Sequence, residues 1–185
     1  MAVNVGAADQ RQKLIDLIST KYGKIDVLVP NAAVSTHFGN QFDISERAYD
    51  KLWDLNVKST FFLIKESLDL MRKVESGANI CIITSVAGEN PTAMIGVYGS
   101  TKAALENMIK WMKDELREDG IRVNALGPGL IKTDFAAPIW GSPAVPKEAV
   151  GMPEQIGAVA ATICSQDGSF MNGDSYKVHG GYPKL

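Results

Sequence analysis

Ile80-Cys81-Ile82-Ile83 is the stretch that decides the fold of this chain. A strand with one face in water alternates apolar and polar side chains, but these four residues are apolar without a break. An unbroken apolar run is typical of a strand that is covered on both faces. The run therefore indicates a parallel sheet with helices packed on each side.

Helical and strand-like patterns alternate along the rest of the chain. Apolar residues recur at helical spacing over residues 8–22, from Ser45 to about Leu70, over 97–118 and over 153–164. Further strands are predicted at Val3–Val5, Ile25–Val29, Ile121–Ala125 and Ser175–Val178. Alternation of this kind is typical of βαβ units, so we predict an α/β fold: a Rossmann-like doubly wound parallel sheet in a single domain, residues 1–185.

The composition excludes several classes of function. The 185 residues are 45% apolar and 22% charged with a formal net charge of −2, which leaves no basic excess for binding nucleic acid. The apolar runs are too short to span a bilayer. Two histidines and two cysteines lack metal-ligand spacing, and we expect Cys81 and Cys164 to be buried as small apolar residues.

A tyrosine and a lysine four residues apart form the most informative pair. Tyr98 and Lys102 lie near the start of a predicted helix, so both side chains project from one face. An ammonium beside a phenol favours the phenolate, so we expect the pKa of Tyr98 to lie below its usual value of about 10. Such a phenol can exchange a proton with a substrate oxygen. By itself, the spacing also fits an exposed tyrosine and a solvated lysine.

Ser85 lies just beyond the buried run. Doubly wound folds carry their reactive groups at the carboxyl ends of the strands, which is where Ser85 is predicted to be. Its hydroxyl can hydrogen-bond the same substrate oxygen as Tyr98. Ser85, Tyr98 and Lys102 are therefore the predicted centre of a catalytic site.

Other short motifs accompany this pair. In chain order, the motifs are Asn31-Ala32-Ala33, Leu55-Asn56-Val57, Ile83-Thr84-Ser85, Tyr98-Gly99-Ser100-Thr101-Lys102 and Asn124-Ala125-Leu126-Gly127-Pro128-Gly129. In this order and spacing the chain resembles the short-chain dehydrogenase/reductase family, from about residue 3 to residue 182. Within that family it is most similar to the peroxisomal NADPH-dependent carbonyl/retinal reductases.

The resemblance implies a role for each matching residue. Tyr98 matches the general acid/base, Lys102 the residue that acidifies it and holds the nicotinamide ribose, and Ser85 the hydroxyl that orients the carbonyl. Asn56 matches the helix asparagine whose backbone carbonyl holds a proton-relay water. The remaining matches are cofactor-binding positions: Asn31, Ala32, Pro128, Gly129, Ile131, Thr133 and Asn4, the last standing where relatives often have an aspartate.

The activity that the resemblance implies is hydride transfer between NAD(P)H and a small carbonyl or alcohol. Ketones, aldehydes, retinal-like compounds and dicarbonyls are the expected substrates, and NADP(H) is favoured over NAD(H). The resemblance also implies a homodimer or homotetramer formed through helices 46–72 and 97–118. Met108, Trp111 and Met112 suit such an interface, although a stripe of this kind is more often core.

The sequence departs from the family in its first part. Relatives begin with two βα units of roughly 60 residues, which we expect this chain to lack. Neither G-x-x-x-G-x-G nor G-x-G-x-x-G occurs in the chain, and in the family this turn binds the cofactor pyrophosphate. We therefore expect an exposed edge on a central strand. The segment between Thr133 and Pro153 is also shorter than the substrate lid of relatives.

Two hypotheses about function remain open. The chain is either an NAD(P)-dependent carbonyl reductase or a catalytically impaired relative that acts through its subunit-interface helices as a binding or regulatory protein. The C-terminal Pro183-Lys184-Leu185 resembles a peroxisomal import signal, so we expect a peroxisomal or a cytoplasmic location.

Overall fold

The computed structural model describes residues 1–184, whose four strands form one parallel sheet in the order β1-β2-β3-β4. The strands are β1 (Val27–Leu28), β2 (Asn79–Ile83), β3 (Arg122–Pro128) and β4 (Ser175–Val178). The helices are α1 (Ala8–Tyr22), α2 (Glu46–Trp53), α3 (Ser59–Met71), α4 (Gly96–Glu115), α5 (Ala137–Trp140) and α6 (Pro153–Cys164). Helices separate each strand from the next along the chain, so the predicted parallel α/β architecture is confirmed.

Helices cover both faces of the sheet. Alternate side chains of each strand point to opposite faces, so one strand contributes to two cores. Ile80 and Ile82 of β2 belong to the larger core, which contains side chains of α1, α3 and α4. Cys81 lies in a smaller core with Ile163 of α6. Cys81 is buried and Cys164 is half-buried against this smaller core. Burial on both faces explains why the sequence of β2 is apolar without interruption.

The chain before α1 is not a strand, so the prediction for Val3–Val5 is wrong. A strand needs a neighbouring strand for its backbone groups, and within residues 1–184 this segment has none. Its polar groups are satisfied by the helix instead: the Asn4 N–H donates to Gln10 Oε1 at 2.7 Å, and the Val5 carbonyl accepts from Arg11 Nη1 at 2.8 Å. The segment thus forms the entry to α1.

The long helix predicted from Ser45 to Leu70 is interrupted. Ser45 caps it as expected, its hydroxyl accepting from the Ala48 N–H at 3.3 Å. Residues Asp54–Lys58 then form a π-helical turn between α2 and α3. Turns of this kind are frequent at functional sites, and this one contains Asn56.

β1 is the edge of the sheet and is shorter than the predicted strand, Ile25–Val29. It pairs with β2 through Val27 and Leu28, and among the described residues no strand lies on its other side. Val27 and Val29 are each 43% exposed. The expected exposed strand edge is therefore present.

The Met/Trp stripe of α4 divides between the core and the surface. Met112 is buried, and Met108 packs against the larger core. Trp111 is 45% exposed. Only part of this stripe is therefore available to a partner.

Membrane spans and metal clusters were also absent from residues 1–184. No helix there is both long and apolar enough to cross a bilayer. No group of three or more His, Cys, Asp or Glu side chains in that range is placed to hold a metal ion.

Candidate active site

A cleft of about 800 Å³ opens at the carboxyl edge of the sheet. Because the strands are parallel, the segments that follow β1, β2 and β3 meet there, together with the first turn of α4. Most of the predicted site residues line this cleft: Asn31, Ala32, Ser85, Tyr98, Lys102, Pro128, Gly129, Ile131 and Thr133. Asn56 and Asn4 do not line it.

Lys102 is a buried ammonium inside the cleft wall. The residue is 2% exposed, and its Nζ donates to the Ile83 carbonyl at 2.9 Å. Within residues 1–184 it pairs with no carboxylate. Desolvation by burial lowers the pKa of Lys102 to about 8. An ammonium in this setting retains donors for the hydroxyl groups of a bound ligand.

The pKa of the Tyr98 phenol differs from the expected one. Lys102 Nζ lies 5.6 Å from the centroid of the Tyr98 ring, as the helical spacing predicts. Burial nevertheless raises the pKa of Tyr98 to about 12, while a side-chain hydrogen bond with Ser85 opposes the rise. The predicted lowering of this pKa is therefore wrong for the chain alone, because desolvation of the phenolate outweighs the hydrogen bond with Ser85.

Ser85 begins the short 3-10 turn Val86–Gly88 that follows β2. Its Oγ accepts from the Ala87 N–H at 3.2 Å and lies 3.5 Å from the Pro128 carbonyl oxygen. The hydroxyl is thus tethered by the turn on one side and by the end of β3 on the other. This tether aims Ser85 into the same cleft as Tyr98.

Asn56 is fully buried and acts within the wall of the site. Its Oδ1 accepts from the Val34 N–H at 2.8 Å, and its Nδ2 donates to Thr101 Oγ1 at 3.1 Å. Thr101 Oγ1 donates in turn to the Tyr98 carbonyl at 2.7 Å. The side chain therefore fastens the segment after β1 to the helix that carries Tyr98. The backbone carbonyl of Asn56, to which the resemblance assigns a water, accepts from the Thr60 hydroxyl at 2.9 Å.

Asn4 lies outside the site. It is exposed, and its Oδ1 accepts from the Gly6 N–H at 3.0 Å, so its side chain serves the turn before α1. The cofactor contact that the resemblance implies for Asn4 stays a prediction.

Several apolar side chains of the cleft were not predicted. Phe135 lies in the short 3-10 turn Asp134–Ala136, with its ring centroid 6.1 Å from that of Tyr98. Ile139 of α5 and Phe38 also line the cleft. These residues stand in irregular segments or in helical segments too short to show hydrophobic periodicity, which is why sequence reasoning missed them. The segment after Thr133 is held by Trp140, whose Nε1 donates to the Thr133 carbonyl at 2.8 Å.

The cleft fits one half of a nicotinamide dinucleotide. Lys102 offers buried donors, and Asn31 and Thr133 add polar groups to the lining of the cleft. The other half of such a ligand carries a pyrophosphate, and the chain has no Gly-rich phosphate-binding turn. The residues present therefore match the nicotinamide end of the cofactor.

A family model described as enoyl-(acyl carrier protein) reductase matches residues 1–183. Dehydrogenase/reductase SDR family member 4 of Bos taurus is 36% identical over 186 residues. The match covers 96% of this chain and 66% of the relative, so the chain spans about two thirds of the length of that protein.

Solved structures have the same fold. The chain superposes on 3-ketoacyl-(acyl-carrier-protein) reductase from Brucella melitensis complexed with NADH with a TM-score of 0.92 and 21% identity, covering 100% of this chain and 78% of the other. A 7α-hydroxysteroid dehydrogenase complexed with NADH and 7-oxo glycochenodeoxycholic acid matches with a TM-score of 0.86 and 30% identity, covering 97% of this chain and 72% of the other.

Proposed function

The chain belongs to the short-chain dehydrogenase/reductase family, and from that premise we propose that it transfers a hydride between NAD(P)H and the carbonyl carbon of a small ketone or aldehyde. One observation carries the proposal: the Ser85 hydroxyl, the Tyr98 phenol and the Lys102 ammonium line a single cleft at the carboxyl edge of the sheet. Two oxygen donors beside a buried cation are suited to polarise a carbonyl oxygen and to protonate it.

Tyr98 acts as the proton donor in reduction. With a pKa near 12 the phenol is neutral at physiological pH, so it has a proton to give to the oxygen of the substrate as negative charge develops there. Lys102, 5.6 Å from the phenol ring, stabilises the phenolate that results. Ser85 donates to the same substrate oxygen and fixes its position. The nicotinamide cofactor supplies the hydride.

The cofactor is held by the remaining cleft residues in this proposal. Lys102 binds the nicotinamide ribose hydroxyls, and Asn31 and Ala32 pack beside them. Pro128, Gly129, Ile131 and Thr133 enclose the nicotinamide ring. NADP(H) is preferred over NAD(H), on the similarity to NADPH-dependent carbonyl reductases.

The substrate is an uncharged, apolar carbonyl compound. Phe38, Phe135 and Ile139 line the cleft, and Lys102 is its one charged lining residue among those described. An apolar wall with a few convergent polar groups binds ligands mainly by burying apolar surface. Ketones, aldehydes, retinal-like compounds and dicarbonyls share this chemistry.

The direct experiment uses the 185-residue chain. We expect calorimetric titration with NADPH to give a micromolar Kd. When an aromatic dicarbonyl is added, we expect the absorbance of NADPH at 340 nm to fall as the dicarbonyl is reduced. NADH titrated in parallel tests the cofactor preference. A folded sample that neither binds NADPH nor reduces the dicarbonyl would reject the proposal.

A second candidate is a binding or regulatory protein that is catalytically impaired. The absence of a Gly-rich turn and the exposed Trp111 on α4 favour it. In that case helices 46–72 and 97–118 would form the partner surface, as they would in a catalytic homodimer or homotetramer. A folded, oligomeric sample without NADPH binding is the outcome that selects this candidate.

We propose that the protein is located in the peroxisome or in the cytoplasm. Pro183-Lys184-Leu185 favours the peroxisome, and Leu185 lies outside the described residues. A fluorescent protein fused before residue 1 should collect in peroxisomes, and removal of the last three residues should return it to the cytoplasm. Equal distribution of both fusions would reject a targeting role.

A further inference from the structure

Lys177 of β4 is the centre of a mostly buried cluster of charges that does not line the cleft. Its Nζ contacts the Glu106 carboxylate, donates to Ser175 Oγ at 2.7 Å and lies 3.3 Å from Glu89 Oε1. The side chains of Lys177 and Glu106 are only 14% and 10% exposed, whereas that of Glu89 is 54% exposed. A largely buried ion pair of this kind is weak support for stability alone, since apolar residues of similar volume often serve as well.

The cluster joins three elements that bear on the site. Glu106 lies on α4, four residues beyond Lys102 and therefore on the same helical face. Glu89 follows the turn Val86–Gly88, which Ser85 begins. Lys177 lies on β4, so a single ammonium connects the helix of the phenol, the turn of the serine and the sheet.

The turn after Ser85 lies unusually close to α4. A Cβ added at Gly88 would come within 3.1 Å of the Ala103 nitrogen and of the Glu106 carboxylate. A Cβ added at Gly99 would come within 2.6 Å of the Ala87 carbonyl oxygen. Glycine at both positions allows this close approach of the turn to α4.

We propose that Lys177 is a positioning residue that holds the Ser85 turn against the helix carrying Tyr98 and Lys102. It touches neither substrate nor cofactor. Ser85 and Tyr98 have to meet one substrate oxygen, and small displacements of such groups lower rates steeply. Pairing with Lys177 also occupies Glu106, the acidic residue nearest to Lys102 along α4, and leaves the Lys102 ammonium available to a ligand.

The inference rests on the proposed reductase function, so its first test is kinetic. We expect Lys177→Met to lower kcat for an aromatic dicarbonyl at least tenfold, with substrate KM and the Kd for NADPH within threefold of the parent. Lys177→Arg can still bridge both carboxylates and should remain within threefold in kcat. Parental kcat in Lys177→Met would overturn the inference.

A double variant separates positioning from stability. Lys177→Met combined with Glu106→Leu removes both buried charges and should restore the parental Tm. The Ser85 turn still lacks its contact with Lys177 in this variant, so kcat should stay at least tenfold below the parental value. A double variant with both parental Tm and parental kcat would mean that the pair serves stability alone.

Hydrogen exchange tests whether Lys177 holds the Ser85 turn against α4, and it needs no catalytic activity. The amides of Gly88, Glu89 and Asn90 donate to Ser85 or Val86 within the turn. In Lys177→Met these amides should exchange at least tenfold faster than in the parent, while those of β3 remain unchanged. If the parent neither binds NADPH nor reduces a carbonyl, the proposed function fails. Hydrogen exchange alone then decides whether Lys177 holds the Ser85 turn. Unchanged exchange at residues 88–90 would refute it.

Discussion

At the scale of single residues, burial moves Tyr98 and Lys102 toward their neutral forms. The pKa of the phenol rises to about 12 and that of the ammonium falls to about 8. Neither shift helps the chain to fold: desolvation of the Lys102 ammonium opposes folding at neutral pH, and the raised pKa of Tyr98 opposes folding only above about pH 10, where the unfolded phenol ionises. Their common location in the cleft indicates that they are retained for a ligand.

Tyr98→Phe should abolish most of the turnover. Loss of the phenolic proton removes general acid catalysis, which is worth roughly 10²–10⁴ in rate, so kcat should fall by that factor. The Kd for NADPH, measured by calorimetry, should stay within threefold. Tyr22→Phe changes an exposed tyrosine of α1 in the same way and should leave kcat unaltered. Retained activity in Tyr98→Phe would contradict the acid/base assignment.

Lys102→Met should stabilise the chain without ligand while weakening NADPH binding at least tenfold. A pKa lowered from 10.5 to about 8 corresponds to on the order of 3 kcal/mol at pH 7. Between pH 8 and 10.5, Lys102 is protonated in the unfolded chain and largely neutral in the folded chain, so the free energy of unfolding rises with pH in that window. Below pH 8 the ammonium is charged in both states, and its burial then lowers the free energy of unfolding by the full amount.

Urea denaturation of Lys102→Met and the parent between pH 7 and 9.5 measures this effect. The stability gap between the two should be largest at pH 7 and should narrow as the pH increases. A gap of opposite sign at pH 7, or one independent of pH, would contradict a desolvated ammonium.

At the scale of elements, close contact between backbones limits what α4 tolerates. Gly99→Ala would bring a methyl group within 2.6 Å of the Ala87 carbonyl oxygen, and overpacking of this kind costs about 1–3 kcal/mol. Gly157→Ala in α6 is the matched control, since no heavy atom lies within 4 Å of its added methyl group. It should stabilise the chain by about 1 kcal/mol. Thermal unfolding measures both, and equal shifts of Tm would refute the close contact.

The elements themselves were largely predictable from sequence, and the errors have physical causes. α6 and β4 begin and end at the predicted residues because local signals mark them: Pro153 suits the first turn of a helix, and Gly180-Gly181 follows the end of the strand. Val3–Val5 has strand composition but no neighbouring strand, and pairing is not a local property. No local signal predicted the π turn, whose Asn56 contacts Val34 and Thr101, both distant in sequence.

The site was predictable only where its chemistry is local. Four-residue spacing places Tyr98 and Lys102 on one face of a helix, and the strand end places Ser85 near them. The depth of their burial, which sets both pKa values, arises from packing that no motif records. The catalytic and cofactor-binding roles of these residues stay predictions until turnover is measured.

At the scale of the whole molecule, the sheet is open at β1. Unpaired backbone groups and an exposed Val27 are a template for pairing with another strand. We expect the chain to self-associate as its concentration rises, which sedimentation velocity measures. The substitution Val27→Lys should reduce this self-association. Leu17→Lys adds the same charge at an apolar residue of α1 with similar exposure, away from the edge, and should leave association unchanged. Equal effects of both substitutions would point to net charge instead.

The π turn Asp54–Lys58 holds one residue more than a regular helical turn. Because the wide turn absorbs the extra residue, deleting one residue there would restore a regular helix in which α2 and α3 keep the faces that they now present. Leu63, Ile64 and Met71 would stay buried, whereas Asn56 would lose the backbone geometry that carries its contacts with Val34 and Thr101. A natural homologue that lacks one residue at this point should therefore keep the fold and lose the link between the segment after β1 and α4.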